Sequence, residues 1–150
     1  MRSGRSDMND ALEARLERIE AQIAIADLVH HYARAVRREA YEDLAALFVA
    51  GGTFEVRSGR PDRAEFTVRQ RFDTPHALVA FLSEGKGKPH PVPLIHNLMI
   101  EVEGDTARSN AMMTASITGT DKQVTGEYHD SFARVDGKWR FTARIYTVFA

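Results

Sequence analysis

The chain has 150 residues, enough for one domain with a real core, and its 43% apolar and 27% charged content is ordinary for a globular protein. A net charge of −1 without a basic block argues against nucleic acid or an anionic membrane as partner, and no apolar run approaches the roughly 18 residues a membrane-spanning helix needs. The absence of cysteine excludes disulfides, thiolate nucleophiles and thiolate metal sites. Residues 1–9 lack the apolar stretch of a secretory signal and read as a disordered tail, which leaves 10–150 as a single domain and the cytoplasm as default compartment.

Asp10 and Glu13 form a capping-box pattern at the start of a helix. Leu12, Leu16, Ile19 and Ile23, then Ile25, Leu28, Tyr32 and Val36, recur at helical spacing, and no Gly or Pro interrupts residues 11–40. The pattern predicts one long helix, or two with a bend near Asp27. Residues 41–48 read as a second short helix with Leu44, Leu47 and Phe48 on one face, ended by Gly51-Gly52. Phe54 and Val56 begin a strand, with a partner at 64–68 across the turn 58–62. Asp73-Thr74-Pro75 opens a third helix running to about Leu82, with Leu78 and Phe81 facing inward. Residues 85–93 are a polar loop.

The remainder alternates with period two and predicts antiparallel strands. Gly104-Asp105 joins 96–103 to 106–118, with Val102 opposite Ala107, Ile100 opposite Ser109 and Leu98 opposite Ala111. Asp136-Gly137 is a strong two-residue hairpin signal. Counting back from it places Phe132 opposite Phe141, Arg134 opposite Trp139, Asp130 opposite Ala143 and Tyr128 opposite Ile145. His129 and Arg144 then share the outer face. Helices first and a long meander afterwards define an α+β domain, a curved sheet wrapped around helices with a conical cavity between them.

Three stretches resemble the SnoaL-like branch of the nuclear transport factor 2-like superfamily. They are Ile25–Val36 with Asp43–Phe48, then Asn97–Ala107, then Gly126–Phe141. The resemblance implies a cone-shaped α+β barrel, often dimeric through the outer face of its sheet. It also implies cofactor-independent lyase, isomerase or cyclase chemistry on a small, largely apolar substrate, in which a histidine moves a proton and an aspartate orients it. Transferred residue by residue, Tyr32 keeps the family's helix tyrosine and Asn97 its strand asparagine. The aspartate position holds Arg37 and the histidine position holds Pro93, so the acid–base pair is not at those places.

Four residues are candidates for catalysis. His96, beside Asn97 on a strand facing the core, is either a substitute base or a strand-end histidine bonded locally; His90 is a weaker alternative. Arg37 is either a clamp for developing negative charge or the solvated end of a helix. Tyr32 is either a hydrogen-bond donor to substrate oxygen or a packed core residue. Asp130, on an aromatic face, is a base or a carboxylate neutralised by an arginine such as Arg37. Asn97, Tyr128, Phe54, Leu98, Met113 and Phe132 are expected to line the substrate pocket. No spacing suggests a metal, and no phosphate-binding or dinucleotide fingerprint suggests a cofactor. The resemblance implies a small hydrophobic molecule and a second copy of the chain, met through the outer face of the sheet, as partners. The runner-up reading is a ligand-binding or dimerisation module without turnover.

Overall fold

The computed structural model describes residues 4–150. Helix α1 spans Gly4–Arg37 without a break at Asp27, as expected where neither Gly nor Pro interrupts the ladder. It starts before the capping-box pattern. Of the tail expected at 1–9, residues 4–9 form its first turns and residues 1–3 lie outside the described residues. The helix ends where Glu39 adopts a left-handed conformation (φ 55°) and the Ala40 N–H donates back to the Ala35 carbonyl.

The short second helix is instead two 3-10 turns, Tyr41–Asp43 and Ala45–Leu47. Tyr41 and Leu44 still share one buried side, because residues three apart eclipse in this geometry. Strand β1 begins at once (Phe48–Gly59), so Gly51-Gly52 lies inside a strand rather than at a helix end. A Cβ on Gly52 would lie 3.0 Å from the Phe48 side chain, which explains the glycine. Strand β2 is Phe66–Phe72 and helix α2 is Pro75–Glu84, capped by Thr74, whose side chain accepts from the Ala77 N–H at 3.1 Å. Strands β3 (Pro91–Glu103), β4 (Thr106–Ile117), β5 (Gln123–Val135) and β6 (Lys138–Phe149) complete the chain.

The six strands form one sheet in the order β2-β1-β6-β5-β4-β3, antiparallel except for the β1–β6 pair. Pro91 and Pro93 are tolerated because β3 is an edge. The sheet curves around the C-terminal half of α1, which buries Ala21, Ile25, Val29, Tyr32 and Ala35 against it. Phe48, Phe54, Phe132, Trp139 and Phe141 complete the core from the sheet side.

Both hairpin turns form as read. Asp136 and Gly137 have φ of 53° and 75°, and Val102–Ala107, Ile100–Ser109, Phe132–Phe141 and Arg134–Trp139 are partners. Farther from the turns two bulges change the register. In β3, Asn97 and Leu98 together oppose Ala111, with Asn97 at φ 53°. In β6, Thr142 is an extra residue between the Phe132–Phe141 and Ser131–Ala143 pairs. Asp130 therefore faces Arg144, not Ala143, and Tyr128 faces Tyr146, not Ile145. A one-residue slip reverses every side chain beyond it, and both reversals fall on candidate site residues.

Candidate functional site

A cavity of about 160 Å³ opens between α1, α2 and the inner face of the sheet. Tyr32 and Val36 of α1, Leu78 and Leu82 of α2, Phe54 of β1, Met113 of β4 and Tyr128 of β5 line it. Its wall is almost wholly apolar; Gln70 and the phenols of Tyr32, Tyr128 and Tyr146 are its hydrogen-bonding side chains. The tyrosines stay protonated. Burial pushes up the pKa of Tyr32 and Tyr146, and the neighbouring Tyr128 raises both further. Burial also raises Tyr128, against the opposing pull of Arg144.

Behind Tyr32 and Tyr128 lies an ion pair sealed from solvent. Arg144 is 1% and Asp130 3% exposed. Arg144 Nε approaches Asp130 Oδ1 to 3.0 Å, but the N–H is not aligned as a hydrogen bond. Neither terminal guanidinium nitrogen has a hydrogen-bond partner. The cation lies instead among ring faces, with its central carbon 3.7 Å from the Tyr128 centroid, 4.3 Å from Tyr32 and 4.9 Å from Phe141. Such contacts gain strength when desolvated. Burial pushes the Asp130 carboxyl up to about 6, with Arg144 pulling the other way. This is a titratable group near neutrality directly behind the cavity wall.

The candidates from sequence divide clearly. Tyr32, Tyr128, Phe54 and Met113 line the cavity together. Asp130 is buried with a cationic partner, as expected, but that partner is Arg144. Arg144 was expected on the outer face with His129; the Thr142 bulge turns it inward. Arg37 is exposed at the end of α1 and reaches neither Asp130 nor the cavity, which fits the solvated helix end. His96 is exposed on the outer face, where Nε2 lies 2.9 Å from Thr114 Oγ1; the bulge at Asn97 puts it on the face opposite to Leu98 and Ile100 although all three are even-numbered. Asn97 is exposed at that bulge. Leu98 and Phe132 pack in the core without lining the cavity. His90 is half-buried beside Tyr41, its Nδ1 3.0 Å from the Lys88 carbonyl.

Pro93, at the family's base position, does line the cavity but offers no proton chemistry. The residues missed from sequence are Arg144, Tyr146 and Gln70. A change of parity was the signal for Arg144 and Tyr146, since Trp139 and Phe141 are odd whereas the inward residues after Thr142 are even; Gln70 lies beyond the strand read at 64–68. Among the described residues, no group of three or more histidine or acidic side chains could hold a metal, and no helix is long and apolar enough to cross a membrane.

An antiparallel-dominated sheet curled around one helix, with an apolar pocket at the wide end of the cone, defines an α+β pocket domain. The chain belongs to the SnoaL-like domain family, whose profile matches residues 17–145. Solved structures share the fold. The β subunit assigned to an aromatic-ring-hydroxylating dioxygenase from Novosphingobium aromaticivorans DSM 12444 is 24% identical with a TM-score of 0.72, covering 87% of this chain and 90% of that one. An NTF2-like protein with a cystatin-like fold from N. aromaticivorans is 20% identical with a TM-score of 0.69, covering 91% and 87%. A protein provisionally called a scytalone dehydratase, from N. aromaticivorans DSM 12444, is 25% identical with a TM-score of 0.64, covering 87% and 85%. No curated protein matches the sequence.

Proposed function

We propose that the chain holds a small, largely apolar molecule bearing an oxygen acceptor in its cone and relocates a proton within it without a cofactor, as a lyase or isomerase does. The observation that carries this reading is the layering of the site: an apolar cavity, a wall containing protonated phenols, and behind them the buried Asp130–Arg144 pair. The cavity is comparable with the apolar cavities of about 150 Å³ that hold one benzene ring, so the ligand has the bulk of a single ring. Tyr32 or Tyr128 donates a hydrogen bond to its oxygen, and the buried guanidinium on their ring faces favours negative charge developing there, while a water entering the open cavity takes the proton from the adjacent carbon and returns one at the new position. The family membership and the relative named as a dehydratase favour the same class of reaction.

A second reading, binding without turnover, has its own support. None of the residues lining the cavity is a histidine or a carboxylate, and both Arg37 and His96 face solvent. Two measurements separate the readings. Single-ring phenols and cyclic ketones are screened for a rise in melting temperature, and the ketones that bind are followed by NMR in D2O for exchange of their α-protons. The enzyme reading predicts exchange above the buffer rate that falls about 100-fold in Tyr32→Phe or in Tyr128→Phe, whichever phenol holds the oxygen. Binding with exchange at the buffer rate assigns the chain to the second reading.

A further inference from the structure

Helix α1 carries two apolar faces on opposite sides. Ala21, Ile25 and Tyr32 face the sheet and are buried. Leu12, Leu16, Ile19 and Ile23 are 48%, 57%, 53% and 59% exposed. At about 100° per residue they lie roughly 160–220° around the axis from Ala21. A helix stripe this apolar is normally covered, yet among the described residues no element lies over it. Residues 7–20 are exposed throughout, and a helical stretch of that length is marginal in water by itself. The spacing of the stripe is four, three, four, and Ala26 and His30 extend the alternation. This is the a/d pattern of a two-stranded coiled coil over about three heptads.

The flanks of the stripe select the occupant. Glu13, Glu20 and Asp27 line one side; Arg15 and Gln22 line the other. If two copies of α1 pair in parallel, the Arg15 flank of each meets the acidic flank of its mate, placing Arg15 against the partner's Glu20 twice by symmetry. An antiparallel pair would set the acidic flanks against each other. On each helix the sheet lies on the side opposite the stripe. The outer face of the sheet exposes Leu94 and Met99, but beside them it carries charged side chains already matched within the chain, Glu101 with Arg108 and Glu127 with His129, and has no continuous apolar stripe. We infer that the outer stripe of α1 is a homodimer interface, a parallel two-stranded coiled coil built from a second copy of this chain.

Sedimentation velocity of the full chain over a concentration series tests this, with near-ultraviolet circular dichroism to confirm folding. The wild type is expected to be a dimer. Leu16→Glu with Ile19→Glu, outside the core, should give a folded monomer. Arg15→Glu should weaken dimerisation about tenfold, and adding Glu20→Arg should restore it. A monomeric wild type overturns the inference, including one that binds anionic vesicles, which would give the stripe to a lipid surface. A dimer that survives Leu16→Glu with Ile19→Glu overturns it in favour of the sheet face. Failure of the charge swap to restore dimerisation overturns the parallel pairing.

Discussion

At the scale of single residues, Arg144 carries the largest consequence. A guanidinium without solvent, held by one carboxylate and three ring faces, is costly to bury and costlier to strand. Asp130→Leu, which leaves the guanidinium with no oxygen beside it, should destabilise the fold by about 3–5 kcal/mol, whereas Asp130→Leu combined with Arg144→Met should recover most of that loss; chemical denaturation of both variants measures it. The pair also sets a pH dependence. The folded chain holds the Asp130 proton more tightly than the unfolded chain, from an ordinary value of 3.8 up to about 6. Its stabilising contribution is therefore complete below the ordinary value and is lost as pH rises through about 6. Glu55 runs the other way. Burial alone would raise it, but hydrogen bonds from Arg57 and Arg71 hold it low, so its contribution is present above the ordinary carboxylate value and fades in acid. The difference in melting temperature between wild type and Asp130→Asn isolates the first effect. It should shift against the wild type as pH rises from about 4 to about 7, and a flat difference would refute the buried titration.

At the scale of elements, the turns and the bulges account for what the sequence disclosed and what it withheld. Asp136-Gly137 announces its hairpin because positive φ at two successive positions is demanding, and few dipeptides meet it. A bulge needs only one permissive residue, and Asn97 or Thr142 would be unremarkable anywhere else. The strands and the rows nearest each turn were therefore legible, and with them Tyr128, Phe54 and Met113, while Tyr32 was legible from the helix period. The faces of His96 and Arg144 were not, since each lies beyond a bulge in the count from its turn. Asn97 tests the point. Asn97→Gly should be nearly neutral because glycine adopts φ 53° freely, whereas Asn97→Val should cost about 1–2 kcal/mol or shift the register of β3. Denaturant titration gives the cost, and β3–β4 NMR contacts report the register. Close approach constrains a second position: a Cβ on Gly126 would lie 2.3 Å from the Thr147 carbonyl oxygen, so this glycine keeps β5 against β6 where Tyr128 and Tyr146 meet the cavity.

At the scale of the whole molecule, one long helix serves two ends. Its C-terminal half plugs the cone and leaves a cavity beside α2, while residues 7–20 of its N-terminal half stay exposed. Filling the cavity should abolish ligand binding without harming the fold. Val36→Trp, on the α1 wall of the cavity, is expected to eliminate ligand-induced thermal shifts and to leave the unliganded melting temperature unchanged or slightly raised, as cavity filling does. Persistent shifts in that variant would place the ligand elsewhere.

The bulge at Thr142 has an evolutionary consequence. Taking Thr142 into a regular ladder instead of bulging it out would slide β6 by one residue, send Arg144 to the outside and leave Asp130 beneath the tyrosines without its cation, with no substitution. Whether a strand bulges or runs regularly at one residue is thus a heritable switch for pocket chemistry, and distant members of one fold can exchange reactive groups where their bulges differ. Catalytic roles transfer between such members only where their bulges coincide.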